Sequence, residues 1–342
     1  MNLEQQRTSV SELAAWLLAH DHYVFTTHMT PDGDGLGSQL ALARFLRSRG
    51  KDVRILNCSG VPEDLRFLTR QGDIITFAKE KHTEIVKNAV AVVAFDLGAT
   101  GRLGRMEECV RTANGRRVLI DHHLFDNDAF DMALIDANAS SSAEITYDVI
   151  KAAGGTVDLE LAEPLYVGFV QDTGSFAYNS TSPRVHRIAA EFLEAGVNPH
   201  RIWKKLNCQK GFGRVRLTGK SMARIELSAD GKIASLKIDL QYLADEKAEA
   251  RDAFEVVHHL LTIQGVEVGF LALQIGSTRT KFSIRSAGRF DVCRIAKEHR
   301  GGGHRYAAGC TIEDMTIGDS YAMMLEKIGR LVADGDRPAR EG

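Results

Sequence analysis

Arg116-Arg117-Val118-Leu119-Ile120-Asp121-His122-His123 is a short apolar run that ends in one aspartate and two histidines. Two earlier apolar runs end in a similar way, because residues 23–27 lead into His28 and residues 89–95 lead into Asp96. In an open α/β sheet, ligands bind in the crevice at the carboxyl ends of the strands. Carboxylates and imidazoles gathered there repel one another unless cations hold them together, so the pattern predicts a site for more than one metal ion.

The first 196 residues alternate between apolar runs and helical periodicity, which predicts an α/β fold. We expect a doubly wound, mostly parallel sheet and assign residues 1–196 to a catalytic, metal-binding domain. The predicted strands are residues 22–27, 53–57, 74–77, 90–95 and 117–120, and the predicted helices are residues 9–20, 35–49, 104–113, 141–153, 160–173 and 184–195.

Residues 197–224 are expected to form a helical linker, and residues 225–342 a smaller α+β domain that binds substrate. The linker is basic and has no acidic residue over 201–224, which is typical of a solvated connector; a basic wall beside a substrate cleft is the alternative. In the second domain we predict strands at 223–227, 232–238, 266–275 and 281–285, and helices at 247–263, 291–299 and 318–333.

Composition limits the classes of function. The 342 residues are 44% hydrophobic and 26% charged, which is typical of a globular protein, and the net charge of −2 predicts no strong overall attraction to nucleic acid or membrane. Five scattered cysteines argue against a disulfide framework and favour a reducing compartment. A polar N-terminus and the absence of a long apolar run predict a cytoplasmic protein without a signal peptide or membrane partner.

The segment His28-x-x-x-Asp32-x-Asp34 offers three candidate ligands in a turn rich in glycine. Alone, it could be an ordinary surface turn, and Asp96 alone could cap a helix. The conjunction of three strand ends favours metal binding, and Asp172, which follows another apolar run, is a further candidate ligand. Carboxylates and imidazoles without sulfur suit Mn²⁺, with Mg²⁺ or Co²⁺ as alternatives. Two such ions would acidify a shared water and neutralise phosphate oxygens.

Two features of the second half point to an anion. The backbone N–H groups of Gly301-Gly302-Gly303 can wrap an anionic oxygen, to which His304 can add a donor, although a glycine triplet is also a common flexible loop. The guanidinium of Arg285 suits phosphate, although a surface strand residue is the alternative.

One competing motif is Gly33-x-Gly35-x-x-Ser38, which is similar to a dinucleotide-binding fingerprint. Asp32 and Asp34 would repel a pyrophosphate there. We therefore disfavour a nicotinamide-dependent oxidoreductase, which would not need a divalent metal.

These residues together resemble the DHH phosphoesterase superfamily, through Asp121-His122-His123, the segment from His28 to Ser38, Asp96, and Gly168-Phe-Val-Gln-Asp172-Thr-Gly. The second half resembles the DHHA1 domain, through Arg285-Ser286 and residues 301–309. The compact layout is similar to the two-domain NrnA type, which comprises nanoRNases and pAp phosphatases.

The resemblance implies a role for each matching residue. His28, Asp32 and Asp96 would hold a first metal ion, and a second would be held by Asp34, Asp96, His122 and Asp172, so that Asp96 bridges the two. His123 would be catalytic and face the scissile phosphate. Asp121 would orient an imidazole or close the strand end, and Arg285 with residues 301–304 would bind the terminal phosphate or backbone of the substrate.

The expected function is therefore manganese-dependent hydrolysis of short RNA to nucleoside 5′-monophosphates, with pAp as a second substrate. The alternatives are a phosphodiesterase for cyclic or linear dinucleotides and a regulatory module that binds nucleotides without turnover. Tyr178, Phe176 and Tyr306 are candidates for stacking on bases, with core packing as the expected role of Phe176. We expect no obligate protein partner, and a homodimer is left open.

Overall fold

The computed structural model describes residues 8–123, 129–209, 211–254 and 256–335, and the side chains of Arg251 and His304 also lie outside the description. The chain divides into two compact units, residues 1–209 and 210–342, and the division falls within the predicted linker. In the described parts of the chain, no helix is both long enough and apolar enough to cross a bilayer.

The first unit contains, among its described residues, one sheet of six strands in the order β3-β2-β1-β4-β5-β6, and all neighbouring strands are parallel. This confirms the predicted α/β fold. The strands are β1 (Tyr23–Thr27), β2 (Val53–Asn57), β3 (Ile74–Thr76), β4 (Ala91–Phe95), β5 (Arg116–Asp121) and β6 (Met132–Ile135). The helices are α1 (Val10–Ala19), α2 (Gly33–Ser48), α3 (Lys79–Asn88), α4 (Glu107–Arg111), α5 (Ser142–Ala152), α6 (Leu159–Asp172), α7 (Pro183–Glu194) and α8 (Pro199–Asn207).

Both faces of this sheet are covered by helices. On β4, Val93 and Phe95 pack in a core with residues of α1, α2, α5, α6 and α7, whereas Val92 and Ala94 pack in a second core with residues of α3 and α4. Alternation of this kind follows from the two-residue period of a strand. Because neither face meets water, β1 and β4 are buried at every position.

Several local features of the first unit differ from the sequence prediction, and helix α3 was among the elements not predicted. The helix predicted over 104–113 is wrong over residues 104–106, which belong to a 3₁₀ helix (Thr100–Met106) that precedes the short α4. Gly104 has a φ of 57°, which interrupts a right-handed helix at that point. Strand β6 was not predicted from the sequence.

The second unit contains, within its described residues, a mixed sheet of six strands in the order β11-β12-β10-β9-β8-β7. Only β8 and β9 pair in parallel there. The strands are β7 (Glu226–Leu227), β8 (Ile233–Ile238), β9 (Val268–Gly276), β10 (Arg279–Ser286), β11 (Gly302–His304) and β12 (Ala307–Ile312). The helices are α9 (Phe212–Met222), α10 (Leu240–Asp245), α11 (Val256–Leu260), α12 (Cys293–Glu298) and α13 (Ile317–Gly335).

The single helix predicted over 247–263 is wrong. A 3₁₀ helix (Ala250–Ala253) and the short α11 stand in its place. Lys247 has a φ of 51°, so the chain turns out of α10 there rather than entering a new long helix. The residues of the predicted linker include α8 and α9, and Arg216 and Lys220 pair with the acidic Glu246.

Helices α2 and α6 approach so closely that a side chain is excluded at one point of contact. A Cβ at Gly37 would overlap the carbonyl oxygen of Pro164. At the far end of the pair, Arg44 Nη1 donates to the carbonyl oxygen of Glu160 at 2.9 Å. That carbonyl has no donor within α6, because residue 164 is a proline and carries no N–H. This packing places the first turn of α2 beside the C-terminal end of α6.

Gly37→Ala is expected to destabilise the first unit by about 1–3 kcal/mol, because the added methyl group forces two buried helices apart. Urea unfolding followed by circular dichroism would measure the loss. Gly101→Ala is the matched control, since a Cβ there meets nothing within 4 Å. Equal stability of Gly37→Ala and Gly101→Ala would contradict this account of the helix contact.

Candidate metal centre

Strands β1 and β4 are neighbours at the point where the order of the sheet reverses, with β2 and β3 on one side and β5 and β6 on the other. Connections leave such a switch point toward opposite faces, which opens a crevice at the carboxyl ends of the strands. His28 follows β1, Asp96 follows β4, and Asp121 is the last residue of β5. The structure therefore brings the three predicted strand ends to one crevice.

His28, Asp32 and Asp96 form a first group of candidate ligands. Nε2 of His28 lies 3.5 Å from Oδ2 of Asp32 and 3.4 Å from Oδ2 of Asp96. The other carboxylate oxygen of Asp32 caps α2, where it accepts hydrogen bonds from the N–H groups of Asp34 and Gly35. Asp32 thus caps α2 and also contributes to the first group of candidate ligands. The surface-turn interpretation and the metal-binding interpretation of this segment are therefore compatible.

Asp34, His122 and Asp172 form a second group. Nε2 of His122 lies 3.0 Å from Oδ2 of Asp172 and 3.9 Å from Oδ2 of Asp34. The same nitrogen is 3.7 Å from Oδ1 of Asp96, whose Oδ2 faces His28. The carboxylate of Asp96 therefore lies between the two groups.

Asp34 is held by the first turn of α5. Its Oδ2 accepts from the N–H of Ser142 at 2.7 Å, and its Oδ1 accepts from the N–H of Ala143 at 2.8 Å. The positive end of a helix favours a carboxylate in this position. The sequence analysis missed this support: serines 140–142 signal a helix start, but nothing in the sequence identifies Asp34 as the partner.

Asp121 is fully buried and connects two loops of the crevice. Its Oδ2 accepts from the N–H groups of Leu97 and Gly98 at 2.9 and 2.8 Å. Its Oδ1 lies 3.0 Å from the backbone nitrogen of His123 and 2.8 Å from Nδ1 of that ring. Because Asp121 engages Nδ1, the opposite nitrogen of the half-exposed His123 ring is left for another partner.

The charges in the crevice strongly influence one another. Burial and the charges of Asp172 and Asp96 raise the pKa of Asp34 well above its usual range. Burial also favours a raised pKa at Asp96, but the imidazoles of His122 and His28 outweigh it and hold this pKa well below the usual range. Burial opposes charge on both imidazoles, yet the facing carboxylates dominate and raise the pKa to about 9 for His28 and about 11 for His122.

The hydrogen bonding of three buried atoms in the two groups indicates whether a divalent cation fits there. His28 Nε2, Asp96 Oδ1 and His122 Nε2 have no hydrogen-bond partner in the described part of the chain. A buried polar atom without a partner costs about 1–3 kcal/mol, so these atoms need another ligand. Carboxylate oxygen and imidazole nitrogen without sulfur are donors suited to Mn²⁺ and related divalent ions. The residues therefore fit a divalent cation in each group.

Arg102 is a residue of the crevice that the sequence analysis missed. Its Nη2 lies 3.0 Å from Nδ1 of His28, and its Nη1 donates to the carbonyl oxygen of Leu97 at 3.2 Å. Among the described residues, no carboxylate lies within ion-pair distance of this guanidinium. An arginine between glycine and leucine carries no sequence signal that could have identified it.

The predicted substrate-binding residues lie in the second unit. Arg285 is on β10, where it is half-buried and donates to the carbonyl oxygen of Ile284 at 3.0 Å. Gly302 and Gly303 form the edge strand β11 rather than an open loop, and the N–H of Gly301 donates to Ala296. That N–H is therefore already engaged, and the side chain of His304 lies outside the described part of the structure.

Comparison with known proteins gives matches to both units. Residues 22–169 match the model of the DHH family, N-terminal domain, and residues 231–334 match the DHHA1 domain. The bifunctional oligoribonuclease and PAP phosphatase NrnA of Thermus thermophilus is 27% identical over 305 residues, which cover 88% of this chain and 87% of that protein. The protein of the same name from Bacillus subtilis is 26% identical over 323 residues, covering 93% and 98%.

A solved structure is also similar over nearly the whole chain. The exopolyphosphatase-related protein from Bacteroides fragilis has a TM-score of 0.86 at 27% identity, with 95% of this chain and 97% of that chain covered. The two domain models match in the order in which the motifs were found in the sequence. The resemblance inferred from the sequence is thus confirmed, and the chain belongs to the DHH family, with a DHH domain followed by a DHHA1 domain.

Proposed function

We propose that the protein is a phosphoesterase that uses divalent cations to hydrolyse short oligoribonucleotides to nucleoside 5′-monophosphates, with pAp as a second substrate. The observation that carries this proposal is the carboxylate of Asp96 between two groups of ligand atoms, one facing His28 and one facing His122. The names of the two NrnA relatives, oligoribonuclease and PAP phosphatase, support the choice of substrate.

In this proposal His28, Asp32 and Asp96 hold the first cation, and Asp34, Asp96, His122 and Asp172 hold the second. Such cations, when bound, supply Lewis acidity, which neutralises phosphate charge and acidifies water. Mn²⁺ is the proposed ion, with Mg²⁺ and Co²⁺ as alternatives, because the ligand set combines carboxylates with imidazoles.

His123 is the proposed catalytic residue. Asp121 engages its Nδ1 atom and thereby fixes the orientation of the ring. The opposite nitrogen is then available to donate a proton to the leaving oxygen or to stabilise charge on the phosphate in the transition state. The 40% exposure of this side chain is compatible with contact to a substrate, in contrast to the buried His28.

Arg285 is the proposed anchor for a terminal phosphate. It is half-buried, which lowers the pKa of its guanidinium, and among the described residues it has no carboxylate partner. A partly desolvated guanidinium of this kind gains most from a phosphate, which it can bind through two parallel hydrogen bonds. An anchored terminal phosphate would favour short substrates.

An exposed aromatic ring provides a surface for a base. Tyr178 follows Asp172 by six residues, is 62% exposed and lies against Gly174, where a Cβ would overlap the ring. Phe176, by contrast, packs against Tyr166 and His186. Tyr178 is therefore the proposed stacking residue, because bases stack on exposed aromatic faces.

The substrate assignment is tested by a turnover assay with Mn²⁺ on RNA from dinucleotides to twenty-mers, on pAp, and on cyclic di-AMP. We expect rates to fall steeply as RNA length increases, and mononucleotides to be released from the shortest substrates. Faster cleavage of cyclic di-AMP than of any RNA would favour the messenger phosphodiesterase instead. Binding without turnover on every substrate would favour a regulatory module.

His123→Ala and Asp96→Ala should separate catalysis from metal binding. We expect His123→Ala to lower kcat by about 10²–10⁴-fold, as is typical of a lost proton donor, while it retains wild-type Mn²⁺ content. Asp96→Ala should lose both activity and Mn²⁺, because one carboxylate serves both groups. Electron paramagnetic resonance measures bound Mn²⁺. The control variant is His22→Ala, because His22 is exposed and lies outside both groups. Equal Mn²⁺ content in Asp96→Ala and the wild type would refute the bridging role.

Arg285→Ala should raise KM about 10- to 100-fold for a dinucleotide with a terminal phosphate, which corresponds to the loss of a charged hydrogen bond. Hydrolysis of bis(p-nitrophenyl) phosphate, which has no terminal phosphate, should be unaffected. Arg279→Ala is the control on the same strand, where the arginine is exposed and pairs with Glu313. If the KM for the dinucleotide stays at the wild-type value, Arg285 has a purely structural role and does not anchor the substrate.

A further inference from the structure

Glu144 is a buried carboxylate that belongs to neither candidate group, and it is only 4% exposed. Its Oε2 accepts from the N–H and from the hydroxyl of Ser140, at 2.8 and 2.9 Å. Its Oε1 pairs with the guanidinium of Arg184, at the start of α7. A buried charge is costly unless every partner is in place, so these contacts fix the side chain of Glu144 in one position.

The turn that Glu144 holds is the same turn that holds Asp34. Ser140 donates to Glu144, whereas Ser142 and Ala143 donate to the two oxygens of Asp34. Between them, the Ser141 hydroxyl caps α5 by accepting from the N–H of Glu144 at 3.2 Å. The position of the turn therefore depends on Glu144, and the direction of the Asp34 carboxylate depends on the turn.

The direction of the Asp34 carboxylate depends closely on the position of this turn. It is fully buried, and its Oδ2 is the atom that lies 3.9 Å from Nε2 of His122. A carboxylate oxygen has two lone pairs, so Oδ2 can accept from Ser142 and still face a cation. A small displacement of the amides of α5 would rotate this oxygen out of the group it forms with His122 and Asp172.

We propose that Glu144 is a positioning residue for the second cation, which acts through the serine turn and Asp34. The inference rests on the proposed function, because it assumes that Asp34, His122 and Asp172 bind a metal ion. Arg184 is part of the same arrangement, since it compensates the buried charge of Glu144 and connects α5 with α7.

A role limited to capping α5 makes a different prediction. Loss of a cap lowers the stability of the fold, but it does not change the affinity of one metal group relative to the other. A positioning role selectively weakens the group that contains Asp34. Typical losses for such supporting residues are about 10- to 100-fold in metal affinity.

The experiment is a Mn²⁺ titration of the full chain, with free Mn²⁺ followed by electron paramagnetic resonance. We expect two bound ions in the wild type and, in Glu144→Gln, a dissociation constant raised about 10- to 100-fold for one of them only. Asp148→Asn is the matched control, because it removes the same charge from the other partner of Arg184 and should leave both affinities unchanged.

The affected ion is identified with His28→Ala, which removes a ligand of the first group. This variant should retain one Mn²⁺, and the double variant His28→Ala/Glu144→Gln should lose tight binding of that remaining ion. If Glu144→Gln does not fold, Ser140→Ala, which removes only one hydroxyl donor, should show a smaller shift in the same direction.

Two results would overturn the inference: unchanged Mn²⁺ affinities in Glu144→Gln, even with reduced thermal stability, or equal weakening of both ions. A wild-type protein that binds no Mn²⁺ in this titration would instead refute the proposed function itself. The two failures are therefore distinguishable in the same titration.

Discussion

The position of one carboxylate, that of Asp96, determines how the crevice is organised. Its two oxygens face imidazoles that come from different strand ends, His28 after β1 and His122 after β5. The backbone of Asp96 has a φ of 49°, in a region that non-glycine residues seldom adopt. Such strain persists only where the surroundings fix it, and here the N–H of Asp96 donates to Ile120 of β5. The sheet therefore holds this carboxylate at its switch point.

Three other aspartates of the crevice are tolerated because backbone N–H groups neutralise part of their charge. Asp32 accepts from the first turn of α2, Asp34 from the first turn of α5, and Asp121 from the loop after β4. Each of these three carboxylates thus has a hydrogen-bonding role that is independent of a cation. This explains how the fold can present several acids at one place without depending on a metal to keep each of them in position.

Sequence reasoning located the parts of the site that lie at strand ends, because a parallel sheet brings those ends together whatever the details of packing. It could not identify contacts that depend on how helices approach the sheet. The amides of α5 that hold Asp34 come from more than a hundred residues away in the chain. Arg102 was missed for the same reason, since it lies beside His28 in a 3₁₀ helix (Thr100–Met106) that was not predicted. The edge strand at residues 302–304 was not predicted, because glycine weakens the periodicity by which an edge strand is recognised.

The residues proposed to bind cations and the residues proposed to bind substrate lie in different units of the chain. The six proposed metal ligands lie between residues 28 and 172, within the first compact unit, whereas Arg285 and the glycines of β11 belong to the second. The packing of one sheet and its helices therefore determines where the proposed cation ligands lie, as the contacts of Asp34 and Asp96 illustrate. In the proposed function, choice of substrate would depend in addition on residues of the other unit, whose strand β10 carries an arginine without a carboxylate partner among the described residues. Under this proposal, changes in the second unit would alter substrate preference without disturbing the residues proposed to hold the cations.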